Sequence, residues 1–156
     1  MAIIEKIKLD EKDLDILYEL QQNAKRSVFQ LAKIINIPPT TIHNRIRKLK
    51  ENGVIEAYVA RINREKIGQI VCALVFVSLN NNELESSSKK GGLANQIAKY
   101  PNVDEVFETT GNVDIVVKVY GKDIRGITDF VINKIREFKG VTKTETVIAL
   151  SEISKR

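Results

Sequence analysis

Apolar residues recur with a helical period in the first third of the chain and with a strand-like pattern in the rest. Residues 1–53 are predicted to be helical, and the first helix begins after Asp10, a favourable N-cap. Its predicted apolar stripe is Leu14, Leu17 and Leu20. Ser27 begins a second helix, and Gln30 three residues later completes the pattern of a capping box. The sequence therefore predicts two capped helices before residue 36.

A third helix is predicted over residues 38–53, PPTTIHNRIRKLKENG, with prolines at its start and a glycine at its end. Asn36 precedes it and suits a left-handed turn. Its apolar positions recur at i, i+4 and i+7: Ile42, Ile46 and Leu49. On the opposite side lie Thr40, Asn44 and Arg47, with His43 and Lys48 beside them. Two short helices joined by a tight turn, after a longer one, predict a three-helix winged or helix-turn-helix domain.

The pattern becomes strand-like after Gly53. Residues 54–62 are rich in β-branched and aromatic side chains, which predicts a hinge strand leading into a linker. The later elements are predicted as strands 70–79, 103–110, 113–120 and 141–150, with helices at 93–99 and from Asp123 to Gly140. This β-α-β-β-α-β order is that of a ferredoxin-like domain, so the fold class is α+β. The predicted divisions are a helix-turn-helix domain at 1–53, a hinge strand and linker at 54–68, and a ferredoxin-like ligand-binding and oligomerisation domain at 69–156.

The helices of such a domain cover only one face of its sheet. In the strand at 113–120, one side carries Val113, Ile115, Val117 and Val119. Val116 adds apolar surface to the other side. An apolar open face needs a partner to bury it. The pattern therefore predicts a homodimer that forms through the open face.

The composition is that of an ordinary globular protein of 156 residues, 43% hydrophobic and 29% charged. No apolar run approaches the length of roughly 18 residues that a membrane-spanning helix needs, and the first residues turn acidic too soon for a secretory signal. Cys72 is the only cysteine, so an intrachain disulfide is impossible, and its apolar surroundings predict a buried, inert thiol. We therefore expect a cytoplasmic protein with no membrane partner.

Positive charge is concentrated around the third helix. The whole chain carries a net charge of +5, but residues 25–64 contain 9 Lys and Arg against 2 acidic residues, a local net charge of +7. Such a cluster favours a surface that binds a polyanion. A solvated charged surface is the alternative.

The polar side of the third helix has the chemistry of a DNA-reading surface. Asn44 can hold adenine and Arg47 guanine, each through two hydrogen bonds, whereas lysines suit phosphates. Arg45 lies nearer the apolar side and is either a phosphate clamp or a structural ion pair. The predicted DNA-binding residues are Lys25, Arg26, Ser27, Thr40, Thr41, His43, Asn44, Arg45, Arg47 and Lys48.

Four segments together resemble the Lrp/AsnC, or feast/famine, family of transcription regulators. They are LDEKDLDIL at 9–17, SVFQLAKIINIPPTTIHNRIRKLKENGVIEAY at 27–58, TTGNVDIVVKV at 109–119 and VTKTETVIALSEI at 141–153. The resemblance covers nearly the whole chain. It implies an N-terminal helix-turn-helix, a hinge strand, and a C-terminal domain that binds small effectors, often amino acids. It also implies dimers that assemble further, commonly to octamers, and binding to double-stranded DNA. Two such helices in a dimer predict a pseudo-palindromic site.

Two features depart from the family's pattern. Pro38 stands where the family usually has a capping serine before the recognition helix, and Pro39 at the first helical position compensates in part. The polar segment at 80–92, NNNELESSSKKGG, is longer than the usual connection. We expect it to be a surface loop that affects assembly or ligand access.

The resemblance places the effector near the turn at 110–114, at a subunit interface. Gly111 permits a backbone conformation that exposes N–H groups to a carboxylate, and Asp114 can pair with an α-amino group. Thr144 and Thr146 on the last strand are predicted to supply hydroxyls from a neighbouring subunit. The predicted effector site therefore comprises Thr110, Gly111, Asn112, Asp114, Thr144 and Thr146. An ordinary hairpin turn is the alternative, since Gly-Asn is common in hairpins.

No catalytic or metal-binding constellation stands out in the sequence. His43 is the only histidine and has no second histidine or cysteine at metal-ligand spacing, and no phosphate-binding glycine loop is present. We predict a regulator without a cofactor and without enzymatic activity. Two alternatives remain: an enzyme like the haem-pathway decarboxylases that resemble the same family, and a broad architectural DNA-binding protein.

Overall fold

We describe residues 7–80 and 92–153 of a computed structural model. The polar segment predicted at 80–92 lies almost wholly outside the described residues. The chain divides into two compact units, with the boundary between Arg61 and Ile62. None of the described helices is both long and apolar enough to span a bilayer.

The first unit contains three helices: α1 (Glu11–Gln22), α2 (Val28–Ile35) and α3 (Pro39–Glu51). The N-caps of α1 and α2 are the predicted ones, Asp10 and Ser27. Each side chain accepts a hydrogen bond from the backbone N–H three residues later, and that residue's side chain accepts one from the cap's N–H. The predicted capping box at Ser27 and Gln30 is therefore confirmed.

The core of this unit lies where the three helices meet. Its fully buried side chains are Ile16, Leu31 and Ile42. The predicted stripe of α1 was wrong at one end, because Leu14 is 55% exposed and Ile16 is buried instead. Ile16 and Leu20 lie four residues apart on one face, whereas Leu14 points about 200° away from Ile16 around the helix.

The turn between α2 and α3 has the predicted left-handed residue. Asn36 has φ 58°, and its N–H and that of Ile37 both donate to the carbonyl of Ala32. Pro38 is the N-cap of α3 and makes no side-chain cap, while Pro39 occupies the first helical position. Gly53, with φ 69°, follows the helix as predicted. The turn thus fixes where α3 begins.

The hinge strand predicted at 54–62 is not a strand in this structure. The N–H groups of Val54 and Ile55 both donate to the carbonyl of Leu49, so these residues fold back on the end of α3. Residues 56–63 have no regular structure and are all exposed. A strand needs another strand as hydrogen-bonding partner, and residues 7–61 contain none.

The second unit is a four-stranded sheet with two helical segments, preceded by a 3₁₀ turn at Glu65–Ile67. Its strands are β1 (Val71–Leu79), β2 (Val103–Glu108), β3 (Ile115–Gly121) and β4 (Val141–Ile148). Their spatial order is β2-β3-β1-β4, and every neighbouring pair is antiparallel. With a helix between β1 and β2 and another between β3 and β4, this is the predicted ferredoxin-like arrangement.

The helices of this unit are α4 (Leu93–Ile97) and α5 (Ile124–Phe130), which continues as a π-helical segment (Val131–Ile135). Asp123 caps α5 as predicted, because its side chain accepts from the N–H of Gly126 at 2.7 Å. The rings of Tyr100 and Phe130 contact each other edge to face, with their centroids 5.2 Å apart. These helices pack on one face of the sheet.

The strands alternate between the covered face and the open face. The covered face contains the buried residues Ala73, Val75, Val77, Ile115, Val117 and Val119. The register places Phe76 of β1 beside Val116 of β3 and Glu145 of β4 on the open face. Cys72 also lies on the open face and is half-buried, so the prediction of a buried thiol was wrong. Burial nevertheless raises the pKa of this thiol.

The chain beyond β4 reaches across β1 to β3. The N–H of Ala149 donates to the carbonyl of Cys72, which extends the pairing past the end of β4. Glu152 then accepts hydrogen bonds from Lys118 Nζ and from the hydroxyl of Tyr120, both on β3. Lys118 also lies 3.4 Å from Asp104. The C-terminal segment is therefore attached to the middle of the sheet.

Candidate functional site

One side of α3 is buried and the other is exposed. Ile42 and Leu49 belong to the core, with Ile46 packed against them. The exposed side carries five of the predicted DNA-binding residues: Thr40, His43, Asn44, Arg47 and Lys48. Thr41 is half-buried at the edge of this group. The helix thus presents two hydrogen-bonding side chains and two cations on one surface, with His43 beside them.

Arg45 is engaged by carboxylates at the start of α1. Its Nη1 lies 2.7 Å from an oxygen of Asp10 and 2.7 Å from an oxygen of Asp13. The N–H of Asp13 and the Arg45 guanidinium hold the pKa of the Asp10 carboxyl below its usual value. This geometry favours the structural ion pair among the two alternatives for Arg45. It also binds α3 to α1 and so helps to orient the exposed side.

The turn before α2 holds the other three predicted DNA-binding residues. Arg26 forms an ion pair with Glu19 and also donates to the carbonyl of Glu19 at 3.0 Å, so its charge is compensated. Lys25 is exposed. The hydroxyl of Ser27 accepts from the N–H of Gln30 at 3.2 Å. Of the two cations here, Lys25 is the one available to a phosphate.

Sequence reasoning missed a pair of residues beside this surface. Lys50 is exposed, and its Nζ lies 4.7 Å from the centre of the Tyr58 ring. Lys50 follows His43 by seven positions, so the helical period placed it on the same flank of α3. No helical period pointed to Tyr58, because its segment was predicted to be a strand.

The predicted effector turn is held by backbone hydrogen bonds. The N–H of Thr109 donates to the carbonyl of Asp114 at 2.9 Å, and the N–H of Asp114 donates to the carbonyl of Val77 at 3.0 Å. Gly111 has φ 123°, a conformation that favours glycine. Thr110, Gly111 and Asn112 are exposed.

Asp114 also has a structural role. One of its carboxylate oxygens accepts from the N–H of Leu79 at 2.7 Å. That N–H lies where the register of β1 against β4 shifts between Ser78 and Leu79. The carboxylate therefore satisfies a donor at the irregular end of β1, and one of its oxygens is already used.

Thr144 and Thr146 lie on β4, at the edge of the sheet. Both are on the covered face, since Thr144 pairs with Val77 and Thr146 with Val75. The hydroxyl of Thr144 accepts from Nε of Arg136 at 2.7 Å. Within one subunit, these two hydroxyls therefore face the helical side of β4.

No cluster of three or more His, Cys, Asp or Glu side chains that suits a metal ion occurs among residues 7–80 and 92–153. His43 lies on the exposed side of α3.

Two family models match the chain. A winged helix-turn-helix DNA-binding model matches residues 9–56, and an Lrp/AsnC ligand-binding domain model matches residues 72–156. The two matches fall on the three-helix unit and on the sheet unit.

Known proteins match over nearly the same length. The transcriptional regulator FL11 of Pyrococcus horikoshii is 37% identical over 145 residues, which cover 93% of this chain and 91% of that one. AsnC of E. coli has a TM-score of 0.82 at 28% identity, covering 96% of this chain and 97% of its own. A transcriptional regulator of Neisseria meningitidis in complex with L-Met shares the fold, with a TM-score of 0.84 at 24% identity over 95% of this chain and 94% of its own.

Proposed function

Because the chain belongs to the Lrp/AsnC family of transcriptional regulators, we propose that it recognises specific duplex sequences through α3. A small effector on the sheet unit, an amino acid, modulates this binding or the assembly of the protein. The protein works in the cytoplasm as a regulator and not as an enzyme.

The observation that carries the DNA proposal is the division of α3 into two sides. Its apolar side is fixed in the core by Ile42 and Leu49, and Arg45 is anchored to the start of α1. A rigid backbone lets short side chains on the opposite side meet base edges in the major groove. Asn44 and Arg47 are the proposed base readers, while Lys25 and Lys48 contact phosphates.

The effector proposal rests on the turn at 110–114. Gly111 is exposed and has φ 123°, and in the proposal the N–H groups of this turn bind the carboxylate of the effector. Hydroxyls of Thr144 and Thr146 come from a neighbouring subunit of the higher assembly, one that contacts the helical side of β4 and not the open face. The Neisseria regulator with the same fold was solved with L-Met, which supports an amino acid as the class of ligand.

A homodimer forms through the open face of the sheet, and dimers assemble further, to an octamer. On the open face, Phe107, Val116 and Phe76 lie side by side across β2, β3 and β1, and Phe107 is 51% exposed. Val147 on β4 pairs with Leu74 and is 45% exposed. An apolar strip of this kind is costly to leave in water. A two-fold dimer carries two copies of α3 and so reads a pseudo-palindromic site.

The DNA proposal is tested by a gel shift with the DNA upstream of the protein's own gene and a scrambled duplex of equal length. We expect a discrete complex with the upstream DNA at a concentration that leaves the scrambled duplex free. Equal affinity for both duplexes, with steep salt dependence, would instead support the architectural alternative. Absence of binding to either duplex would favour the enzyme alternative.

The effector proposal is tested by titration calorimetry with the twenty amino acids, one at a time. At least one should release or absorb heat and also change the DNA affinity or the oligomer size. The effector proposal is wrong if no amino acid does either, and the DNA proposal stands or fails separately.

A further inference from the structure

A cleft of about 440 Å³ lies within the three-helix unit, beside the exposed side of α3. Its walls come from the end of α1, the start of α2, one flank of α3, and Tyr58 from the chain that follows. The cleft therefore opens next to the proposed base readers. Lys50 and Tyr58, which line it, were not among the predicted DNA-binding residues. Four of the predicted residues line it as well: Arg26, Ser27, His43 and Arg47.

The flank of α3 that lines the cleft is basic along its length. His43, Arg47 and Lys50 follow one another at i, i+4 and i+7, so they form one row. No acidic residue is among the described residues that line the cleft. The carboxylate nearest to Arg47 is that of Glu51 at 3.8 Å, and both side chains are more than half exposed, so this pair is weak. The row therefore keeps most of its positive charge.

Lys50 differs from Arg26 and Arg45 in what holds it. Arg26 is paired with Glu19, and Arg45 with two aspartates, so carboxylates compensate both. Lys50 instead rests on the face of the Tyr58 ring. An aromatic face positions an ammonium group without cancelling its charge. Lys50 is therefore a positioned cation whose charge remains available to an anion.

The rest of the cleft suits a sugar. Its lining includes Leu20, Val28 and Ile46, which belong to or pack against the core of the unit. Ser27 also lines the cleft, beside the first residues of α2. His43, Arg47 and Lys50 beside the apolar residues Leu20, Val28 and Ile46 match one nucleotide of a DNA strand. The phosphate contacts the basic residues, and the deoxyribose contacts the apolar ones. A free amino acid fits poorly, because no lining carboxylate is present to receive its amino group.

We propose that this cleft holds one phosphodiester of the bound duplex, with Lys50 as its main cation and Tyr58 as the residue that positions Lys50. The proposal rests on the DNA binding proposed above and adds to it one phosphate contact, by Lys50, and the residue that positions Lys50. Arg47 lies between His43 and Lys50 in the row and keeps the role of base reader proposed above.

The test measures affinity for the upstream duplex and for a scrambled duplex over a range of salt concentrations. Lys50→Gln should weaken binding to both duplexes by the same factor and reduce the salt slope by about one. Lys33→Gln is the matched control, because Lys33 is an exposed lysine of α2 that does not line the cleft. Lys33→Gln removes the same charge and should leave the salt slope at its wild-type value.

The role of Tyr58 is tested by two variants. Tyr58→Phe keeps the aromatic face and should bind like the wild type. Tyr58→Leu should weaken binding severalfold with little change of slope, since the charge of Lys50 remains. If Tyr58→Phe were as weak as Tyr58→Leu, the ring would not be acting through Lys50 and this role would be wrong.

A duplex with one neutral methylphosphonate locates the contacted phosphate. At one position, the substitution should weaken the wild type but not Lys50→Gln, whose contact is already lost. Lys50→Gln with the same salt slope as Lys33→Gln would overturn the cleft proposal while the DNA proposal stands. A wild-type protein that binds neither duplex would overturn both.

Discussion

Pro38 occupies the N-cap of α3 without supplying the side-chain oxygen that most N-caps provide. Its φ of −58° and ψ of 144° are nonetheless extended, as a cap requires. The carbonyl of Pro38 accepts from the N–H of Ile42 at 3.1 Å, which begins the helix. The N–H of Thr41 also donates to this carbonyl, at 3.0 Å, so the first turn of α3 lacks only the side-chain acceptor of a usual N-cap. This weakness was visible in the sequence.

A serine at this position should improve the helix. Pro38→Ser offers an oxygen to the first turn, whereas Pro38→Ala removes the ring and offers none. We expect Pro38→Ser to be more stable than Pro38→Ala by about 1 kcal/mol in urea denaturation. Comparing these two variants cancels the effect of the proline ring on the unfolded chain. Equal stability would mean that the donors of the first turn are already satisfied by water.

Arg47 is the residue whose loss should change specificity most. Arg47→Ala should lower affinity for the operator by about 1–3 kcal/mol more than for a scrambled duplex, because a bidentate contact to a base is lost. Lys48→Ala is the control and should weaken both duplexes alike. Fluorescence anisotropy with each duplex makes the comparison. A footprint with an unchanged sequence preference in Arg47→Ala would remove this residue from the base readers.

The sequence could predict which residues lie on α3 but not which of its cations are held by carboxylates of another helix. Arg45 and Arg47 are alike in type and two positions apart. One is paired with Asp10 and Asp13 and the other is exposed. Since those aspartates are over thirty positions away in sequence, only tertiary packing brings them to Arg45. The contact between Lys50 and Tyr58 also depends on tertiary packing, so the sequence did not indicate it.

At the scale of elements, local signals predicted the helix starts well. The caps at Asp10, Ser27 and Asp123 depend on side chains within three residues, so the sequence contains all that is needed. The segment at 54–62 failed because strand formation needs a partner that is distant or on another chain. The π-helical segment Val131–Ile135 was not predicted, because it shares the apolar pattern of an α-helix.

The attachment of the C-terminal segment to β3 should make the sheet unit sensitive to alkali. Burial and the hydrogen bond to Glu152 raise the pKa of Tyr120 to about 12. The carboxylate of Glu152 also raises the pKa of Lys118 above its usual 10.5. Above pH 10, the unfolded chain therefore loses these protons before the folded chain does. The free energy of unfolding should fall as the pH rises from about 10 to 12.

Tyr120 alone should lower the free energy of unfolding by on the order of 2 kcal/mol between pH 10 and 12. Denaturation at each pH measures this change. Tyr120→Phe removes the phenol and should give a shallower fall. Glu152→Gln removes the acceptor charge and should also flatten the profile. An unchanged profile in both variants would assign the alkaline loss to other groups.

At the scale of the whole molecule, the open face of the sheet determines assembly in our proposal. Phe76→Glu should dissociate the dimer, because it replaces an apolar side chain with a second carboxylate beside Glu145 on the face that the dimer buries. Ile132→Glu makes a comparable change at a side chain that is 46% exposed on the helical layer, and it should leave the dimer intact. Light scattering after size exclusion gives the mass of each variant. Dissociation by Ile132→Glu alone would move the interface to the helices.

Apart from the segment at 54–62, the order of the described helices and strands could be predicted, since the period of apolar residues changes clearly after Gly53. The alternation of β3 was confirmed at Ile115, Val117 and Val119, which are all fully buried. The effector turn was found by its Gly-Asn pair, but the use of Asp114 by the N–H of Leu79 was not predictable. That bond depends on a register shift between β1 and β4, which no local pattern announces.

The exposed segment without regular structure at 56–63 makes the chain easy to cut at one place. Proteases need an accessible, extended stretch of backbone, and such stretches are the usual sites of limited digestion. Trypsin cleaving after Arg61 would yield two fragments, each with a hydrophobic core of its own. Brief digestion followed by mass spectrometry should detect this pair first. A single cut there would then separate the unit that matches the helix-turn-helix model from the unit that matches the ligand-binding domain model.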